Sequence, residues 1–370
     1  MSSHSQATSL GSPQPLGVGI LGAGPVTQAI HLPSLARLRN ILEVRHIMDV
    51  DAVVAESVAA RVGANHSTSM DALLGDPDVD IVAICSPHQF HADQVIAACR
   101  AGKKAVLCEK PFAMSGEEAA RISAVSEETG VPIIVGAMHT FDPGWLAAEG
   151  NWGDLPENVH TIRSSIVLPP NARFEDFATE IITRPAGGTP DYSDIEVIKN
   201  ALRGGIMGLA IHDLPLVRRF TPDFEDLEVL QARHVRPFGY VISLRSGKQG
   251  AGDRIIELRA AMNKTWKPEW VFEAISDDAA LRVDFTPSYV QAGSAVATIT
   301  RGGTSTTYGP FEHNGYEGEW RELAQLALGT KQPPSAESLI NDLTFAIAIA
   351  DATVDVAAAE HANSHAGAHS

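Results

Sequence analysis

Leu16-Gly-Val-Gly-Ile-Leu-Gly-Ala-Gly-Pro-Val-Thr-Gln-Ala-Ile-His-Leu-Pro-Ser34 is the stretch around which the chain is organised. The apolar run Leu16 to Leu21 reads as a strand buried on both faces, and a glycine turn follows at once. Gly22 supplies the tight turn, and Gly24 lets the backbone come close to a pyrophosphate. From Pro25 and Val26 the pattern is helical, so free N–H groups and the positive end of a helix dipole face that anion. The fingerprint is incomplete, because Thr27 stands where a third glycine would let helix and strand pack closely. Thr fits there if the two elements separate slightly. Many glycine turns after strands only turn the chain. Here the strand before, the helix after and an acidic strand end further on favour a dinucleotide site.

Outward from this unit the pattern repeats. Glu43 to Met48 is a second strand ending at Asp49, and the helical stretch Ala52 to Val62 closes on Gly63. Val79 to Cys85, Lys104 to Glu109 and Val131 to Ala137 are further strands, separated by helices over 92–101 and 117–129 that stop at Gly102 and Gly130. Strands without polar alternation, joined by capped helices, describe a doubly wound parallel sheet covered on both sides. Its ligand belongs at the carboxyl ends of the strands.

After about residue 145 the pattern changes. Ile256, Leu258, Ala260 and Met262 alternate with Glu257 and Arg259, and Leu281, Val283 and Phe285 alternate with Arg282 and Asp284. Period-two alternation predicts a sheet with one covered and one polar face. Further strands are predicted over 161–168, 227–236, 270–275 and 295–300, and helices over 317–328 and 337–358. The fold expected is α/β, an N-terminal Rossmann domain over 16–140 followed by an α+β domain over 141–358 with a large, mostly antiparallel sheet. Residues 1–15 and 359–370 read as polar tails. His361, His365 and His369 are four apart, and a solvated tail is preferred over a metal site.

Composition narrows the partners. The 370 residues suffice for two cores, and a net charge of −17 argues against nucleic acid and anionic membrane surfaces. Three cysteines in apolar contexts, Cys85, Cys99 and Cys108, read as reduced buried thiols. No run reaches membrane-spanning length and the N-terminus lacks a signal-peptide core, so a soluble, cytoplasmic protein is expected. Asp49 can accept hydrogen bonds from the adenosine ribose. It would repel a 2′-phosphate, and neither Val50 nor Asp51 could hold one, so NAD is expected over NADP.

The remaining motifs leave the strand ends. Ser86-Pro87-His88-Gln89-Phe90-His91 follows the third strand, and Glu109-Lys110-Pro111 follows the fourth, where cofactor and substrate would meet. A lysine at a strand end is ordinarily solvated. With the glycine turn, Ala101-Gly102-Lys103, the segment Gly136 to Pro143, Gly204 to Asp213 and Tyr316 to Trp320, however, the chain resembles the glucose–fructose oxidoreductase/inositol dehydrogenase (Gfo/Idh/MocA) family. The resemblance implies that Gly22, Gly24, Pro25, Val26 and Asp49 bind the cofactor, with Ser86, Pro87, His88, His91, Glu109 and Lys110 around its ribose and nicotinamide. It implies that Lys110 hydrogen-bonds the reacting hydroxyl and His212 is the general base, for which an imidazole is suited. It also implies a homodimer or homotetramer formed through the second sheet.

The chain departs from that family in two places. Gly208 stands where an acid usually precedes the histidine by one helical turn, and Asp213 on a helix would point about 100° away from it. Asp191, Asp194 and Glu196 are candidate replacements. Met138-His139-Thr140 stands where Asn and Arg are frequent, which makes His139 a candidate substrate contact. The function expected is NAD-dependent interconversion of a secondary alcohol and a ketone on a sugar, cyclitol or glycoside, with Gly208 and Ala210 leaving room for a bulky one. Two alternatives remain open. One is redox-assisted glycoside cleavage with recycled NAD, and the other is a non-enzymatic dinucleotide sensor.

Overall fold

The computed structural model describes residues 14–184, 188, 190–224, 226–247, 253–262 and 267–366. Its first sheet holds β1 (Leu16–Leu21), β2 (Leu42–Met48), β3 (Asn65–Ser67), β4 (Ile81–Ile84), β5 (Ala105–Cys108) and β6 (Ile133–Val135). All pairings are parallel and the order is β3-β2-β1-β4-β5-β6. β1, β4 and β5 are buried throughout, which is why their sequences carry no alternation. The strand order reverses between β1 and β4, so the crevice for a ligand opens above those two carboxyl ends.

The second sheet holds β7 (Thr161–Leu168), β8 (Glu228–His234), β9 (Gly239–Ser246), β10 (Arg254–Met262), β11 (Glu269–Ile275), β12 (Ala279–Asp284), β13 (Val296–Arg301) and β14 (Thr304–Tyr308). Its order is β14-β13-β12-β11-β7-β10-β9-β8, antiparallel except for β7 against β10. Ile256, Leu258 and Ala260 are buried while Glu257 and Arg259 are exposed, the alternation of a half-covered sheet. The open face carries the ion pairs Arg163–Glu257 and Arg282–Glu273.

The late helices cross the division read from the sequence at 140/141. From the helix Gly315–Ala327, Trp320, Leu323, Ala324 and Leu326 join the core beneath β1 and β2. From the helix Ala336–Ala366, Leu343 joins the core on the other face of the same sheet. That last helix corrects the expected tail from 359. No glycine or proline interrupts residues 337–366, and the alanine-rich stretch after 356 continues the helix. His361 and His365 fall on it, whereas His369 and residues 1–13 lie outside the described residues. Among the described residues no helix is long and apolar enough to cross a membrane, and all three thiols are free.

Candidate active site

The glycine turn sits at the switch point. Gly22 has φ +93°, and a Cβ on it would lie 2.7 Å from the Cys85 carbonyl oxygen, so the turn and the loop leaving β4 are pressed together. A Cβ on Gly24 would meet nothing within 4 Å, which leaves open space over the turn where an anion could approach the backbone. Thr27 is fully buried, and its hydroxyl donates to the Gly22 carbonyl at 2.6 Å. The chain from Thr27 to His31 is a widened π-type turn before the α-helix Leu32–Arg37. The third-glycine position is thus filled by a satisfied hydroxyl. Asp49, just past β2, accepts from the Ala23 N–H at 2.8 Å and the Asp51 N–H at 3.0 Å, which holds its carboxylate against the turn.

Two of the residues expected around the cofactor are engaged within the protein. His91 is fully buried, with Nδ1 2.8 Å from the Pro111 carbonyl and Nε2 2.8 Å from the Ser86 carbonyl. It ties the β4 and β5 exit loops together and has no nitrogen left for a cofactor, which corrects the role expected for it. Glu109 is turned to His31, whose Nε2 lies 3.0 Å from Oε1. Trp320 donates to His31 Nδ1 at 3.2 Å, and an indole N–H can only donate, so the ring hydrogen of His31 sits on Nε2 and is given to Glu109. Burial raises the Glu109 carboxyl, but the hydrogen bond from His31 and the Lys110 charge hold it below the usual value. Ser86 donates to the Gln94 amide oxygen at 2.5 Å, while Pro87 and His88 stay exposed at the mouth. Burial, then His91 and Lys110, lower the His88 imidazole.

Lys110 and His212 are brought together from opposite domains. The helix Ile195–Gly208 ends where Leu209 leaves helical geometry (φ −121°, ψ −56°), and a short 3₁₀ turn, Ala210–His212, follows. Pro215 in the first turn of the helix Leu214–Phe220 lacks the N–H that a continuous helix would need. Residues 205–214 are therefore not one continuous helix, and Gly208, at the end of the first helix, presents its carbonyl. Lys110 Nζ donates to that carbonyl at 2.9 Å. Burial lowers the Lys110 ammonium from the ordinary lysine value, with Glu109 opposing. His212 is buried, and its Nδ1 has no partner. Burial, Lys110 and His139 together hold the His212 imidazole well below its ordinary pKa, so it is neutral at neutral pH.

The candidate replacement acids are elsewhere. Asp194 caps the N-terminus of the helix Ile195–Gly208 by accepting from Glu196 N–H at 2.8 Å, and Asp191 closes an exposed turn onto Ser193. Glu196 pairs with Lys199 at 2.6 Å. A helix of 14 residues separates this end from Gly208 by roughly 20 Å, so none of the three can serve His212.

Asp213 does not serve His212 either. Its fully buried carboxylate accepts from His139 Nδ1 at 2.6 Å, Ser164 Oγ at 2.5 Å and Trp270 Nε1 at 2.9 Å. His139 stacks on Phe285 with ring centres 3.7 Å apart, and its ring centre lies 6.3 Å from that of His212. Sequence reasoning flagged His139 but missed its carboxylate, because the pairing joins residues 74 positions apart. A cavity of about 430 Å³ lies behind Lys110, against Phe112, Phe141, Ile211 and Arg218, and its lining includes neither the glycine turn nor His212.

The two sheets together, one parallel and doubly wound and one mostly antiparallel, define an α/β fold with a Rossmann-type first sheet. Residues 16–137 match the family described as "Oxidoreductase family, NAD-binding Rossmann fold". Over these residues the chain is similar to the NAD-binding domain of the Gfo/Idh/MocA oxidoreductases. It is 39% identical over 158 residues to inositol 2-dehydrogenase 3 of Saccharopolyspora erythraea, a match covering 41% of this chain and 46% of that protein. The chain thus spans about half the length of the curated relatives it matches. In fold it is similar to UDP-N-acetylglucosamine 3-dehydrogenase GnnA of Acidithiobacillus ferrooxidans, with 19% identity, TM-score 0.69 and coverage of 93% of this chain and 99% of that one. It is also similar to KijD10, a 3-ketoreductase of Actinomadura kijaniata solved with NADP and TDP-benzene, with 21% identity, TM-score 0.67 and coverage of 90% and 96%.

Proposed function

We propose that the protein is an NAD-dependent oxidoreductase that interconverts a secondary alcohol and a ketone on a sugar, cyclitol or glycoside. The observation that carries this reading is the bond from Lys110 Nζ to the Gly208 carbonyl, which couples the lysine at the end of β5 to the segment bearing His212. The residues at the switch point fit a dinucleotide. Gly24 leaves its surroundings open, Gly22 presses the turn against the β4 loop, and Asp49 stands at the end of β2 with no cationic neighbour at Val50 or Asp51. Gly22, Gly24, Pro25, Val26 and Asp49 would hold the cofactor, with Ser86, Pro87 and His88 at its far end. When bound, its nicotinamide supplies the hydride acceptor.

The chain's own residues handle the proton. Lys110 donates a hydrogen bond to the reacting oxygen, which favours the developing alkoxide. His212 is neutral and accepts the hydroxyl proton at Nε2, since Nδ1 is sealed in the interior. The sugar or cyclitol class is supported by the names of two similar proteins, an inositol 2-dehydrogenase and a UDP-N-acetylglucosamine 3-dehydrogenase. The polar open face of the second sheet is the surface we infer for a homodimer or homotetramer, which light scattering tests directly.

The deciding experiment incubates purified protein with NAD or NADP and a panel of inositols, sugars, glycosides and nucleotide sugars while NAD(P)H absorbance is followed. Substrate-dependent NADH formation is expected. Bond cleavage without net NADH, on protein that carries cofactor through purification, would replace this reading with redox-assisted cleavage.

A further inference from the structure

Hydride transfer from an alcohol calls for one proton acceptor, and this site holds two imidazoles of opposite character. His212 has a buried Nδ1 with no partner, so nothing behind the ring fixes its tautomer or balances a positive charge on it. His139 has Asp213 behind it. That carboxylate accepts from His139 Nδ1, Ser164 and Trp270 at once, and the ring is clamped between Phe285 and Trp270. An acceptor on Nδ1 fixes the tautomer with its hydrogen there and leaves the Nε2 lone pair free, the arrangement by which a carboxylate prepares a histidine to take a proton. No partner within the chain engages Nε2 among the described residues.

We propose that the Asp213–His139 pair is the terminal proton acceptor of this site and takes over from His212 the proton released by the substrate hydroxyl. The inference rests on the oxidoreductase reading above. The two ring centres lie 6.3 Å apart, and the proposal places one water between them. The substrate O–H bond breaks and an N–H bond forms on His212 Nε2. That proton then passes through the water to His139 Nε2, returning His212 to neutral, while the electron pair leaves with the hydride. The Asp213 carboxylate, held by three donors, lies against the imidazolium. The other charged groups facing this pair are Lys110, on the His212 side, and Asp142, whose N–H donates to the His139 carbonyl. Asp213 is the positioning residue, acting through His139.

Two measurements on the full-length, NAD-bound protein test this. The first reads nitrogen-15 chemical shifts and long-range couplings of the labelled histidines without substrate. His139 is expected to carry its hydrogen on Nδ1, with a bare Nε2, and Asp213→Asn should abolish that preference. A hydrogen on Nε2 in the native protein overturns the proposal. The second is kinetic, with whichever of myo-inositol or UDP-N-acetylglucosamine the native protein oxidises. His139→Asn should lower kcat at least tenfold with KM within about threefold, since the group acts after binding. Asp213→Asn should lose a similar factor, and the double variant should be no worse than His139→Asn alone. Imidazole added to His139→Ala should restore rate in proportion to its free-base fraction, which mere cavity filling would not produce. Native kcat in a folded His139→Asn variant overturns the proposal. Absence of NADH from the native protein on every substrate defeats the oxidoreductase reading instead, and the nitrogen spectrum still decides the pairing.

Discussion

Lys110 and Gly208, 98 positions apart, meet through a 2.9 Å hydrogen bond from the ammonium to the main-chain carbonyl. The bond lies where one helix ends and the segment that carries His212 begins, so the lysine clasps the loop leaving β5 to that segment. Lys110→Met should cut turnover about 100-fold or more, the scale of a lost acid–base group, with NAD affinity nearly unchanged. Steady-state kinetics beside equilibrium cofactor titration checks this, and near-native turnover would remove Lys110 from the chemistry.

Asp49 gives a prediction on cofactor choice. Its two oxygens take the Ala23 and Asp51 N–H groups, so it shapes the turn as well as offering an acceptor to a ribose. Asp49→Ala should weaken NAD binding by about 1.5–3 kcal/mol, as for a lost charged hydrogen bond. NADP should lose less or gain, because a repulsive charge is gone. Equal losses for both in calorimetric titration would take Asp49 out of cofactor discrimination.

Gly208 tests the electrostatics around His212. A Cβ there meets nothing within 4 Å, so Gly208→Asp can be accommodated, and its carboxylate would stand near Lys110. An adjacent negative charge favours the protonated form of each base. The acid limb of the pH–rate profile, which His212 now holds low through burial, Lys110 and His139, should move up by roughly one unit. Gly208→Ala should leave the limb where it is. An unmoved limb in an active Gly208→Asp variant would show that position 208 does not act on the reacting groups.

Glu319 offers a stability test away from the chemistry. It is fully buried with both carboxylate oxygens unpartnered, and burial pushes it well above its usual 4.5, with Glu109 adding. A raised folded value means that the folded state holds the proton more tightly than the unfolded chain. The contribution is fully present below the unfolded value and drains away as pH rises through the folded one. Glu319→Gln keeps the shape and needs no proton, so its advantage over the native protein should grow by about 1.4 kcal/mol per pH unit across that window. Thermal melts from mildly acidic to mildly alkaline buffer should show the gap widening; a constant gap would mean that Glu319 finds a partner.

The sequence was most legible where one physical signal dominates. β1, β4 and β5 are buried on both faces, so their apolar runs betray them, and the alternation in β10 and β12 betrays a sheet covered on one side. β3, with Asn65 and His66 exposed and only three residues long, carries no such pattern and escaped notice. β9 and β14 were missed as well, the latter an edge strand of Thr, Ser and Tyr with exposed side chains. In the site, Gly22 and Asp49 stand out by their places at strand ends, whereas Lys110 and His212 stand out only through the resemblance to the family's motifs. The engagement of both His91 nitrogens was hidden because one partner, Pro111, comes from the next exit loop, and adjacency in sequence hid that Asp213 belongs to His139.

Trp320 gives the architecture a consequence in time. Its indole lies fully buried beside His31, in the core that β1 and β2 also line, yet it is synthesised nearly 300 positions after them: the hydrogen bond it makes spans 289 residues. A nascent chain halted before Gly315 has all six strands of the first sheet but an open apolar gap on one side, with no donor for His31. The dinucleotide domain therefore cannot reach its native core until most of the chain has left the ribosome. A fragment ending near residue 140 should behave as a sticky, chaperone-dependent intermediate rather than as a portable domain.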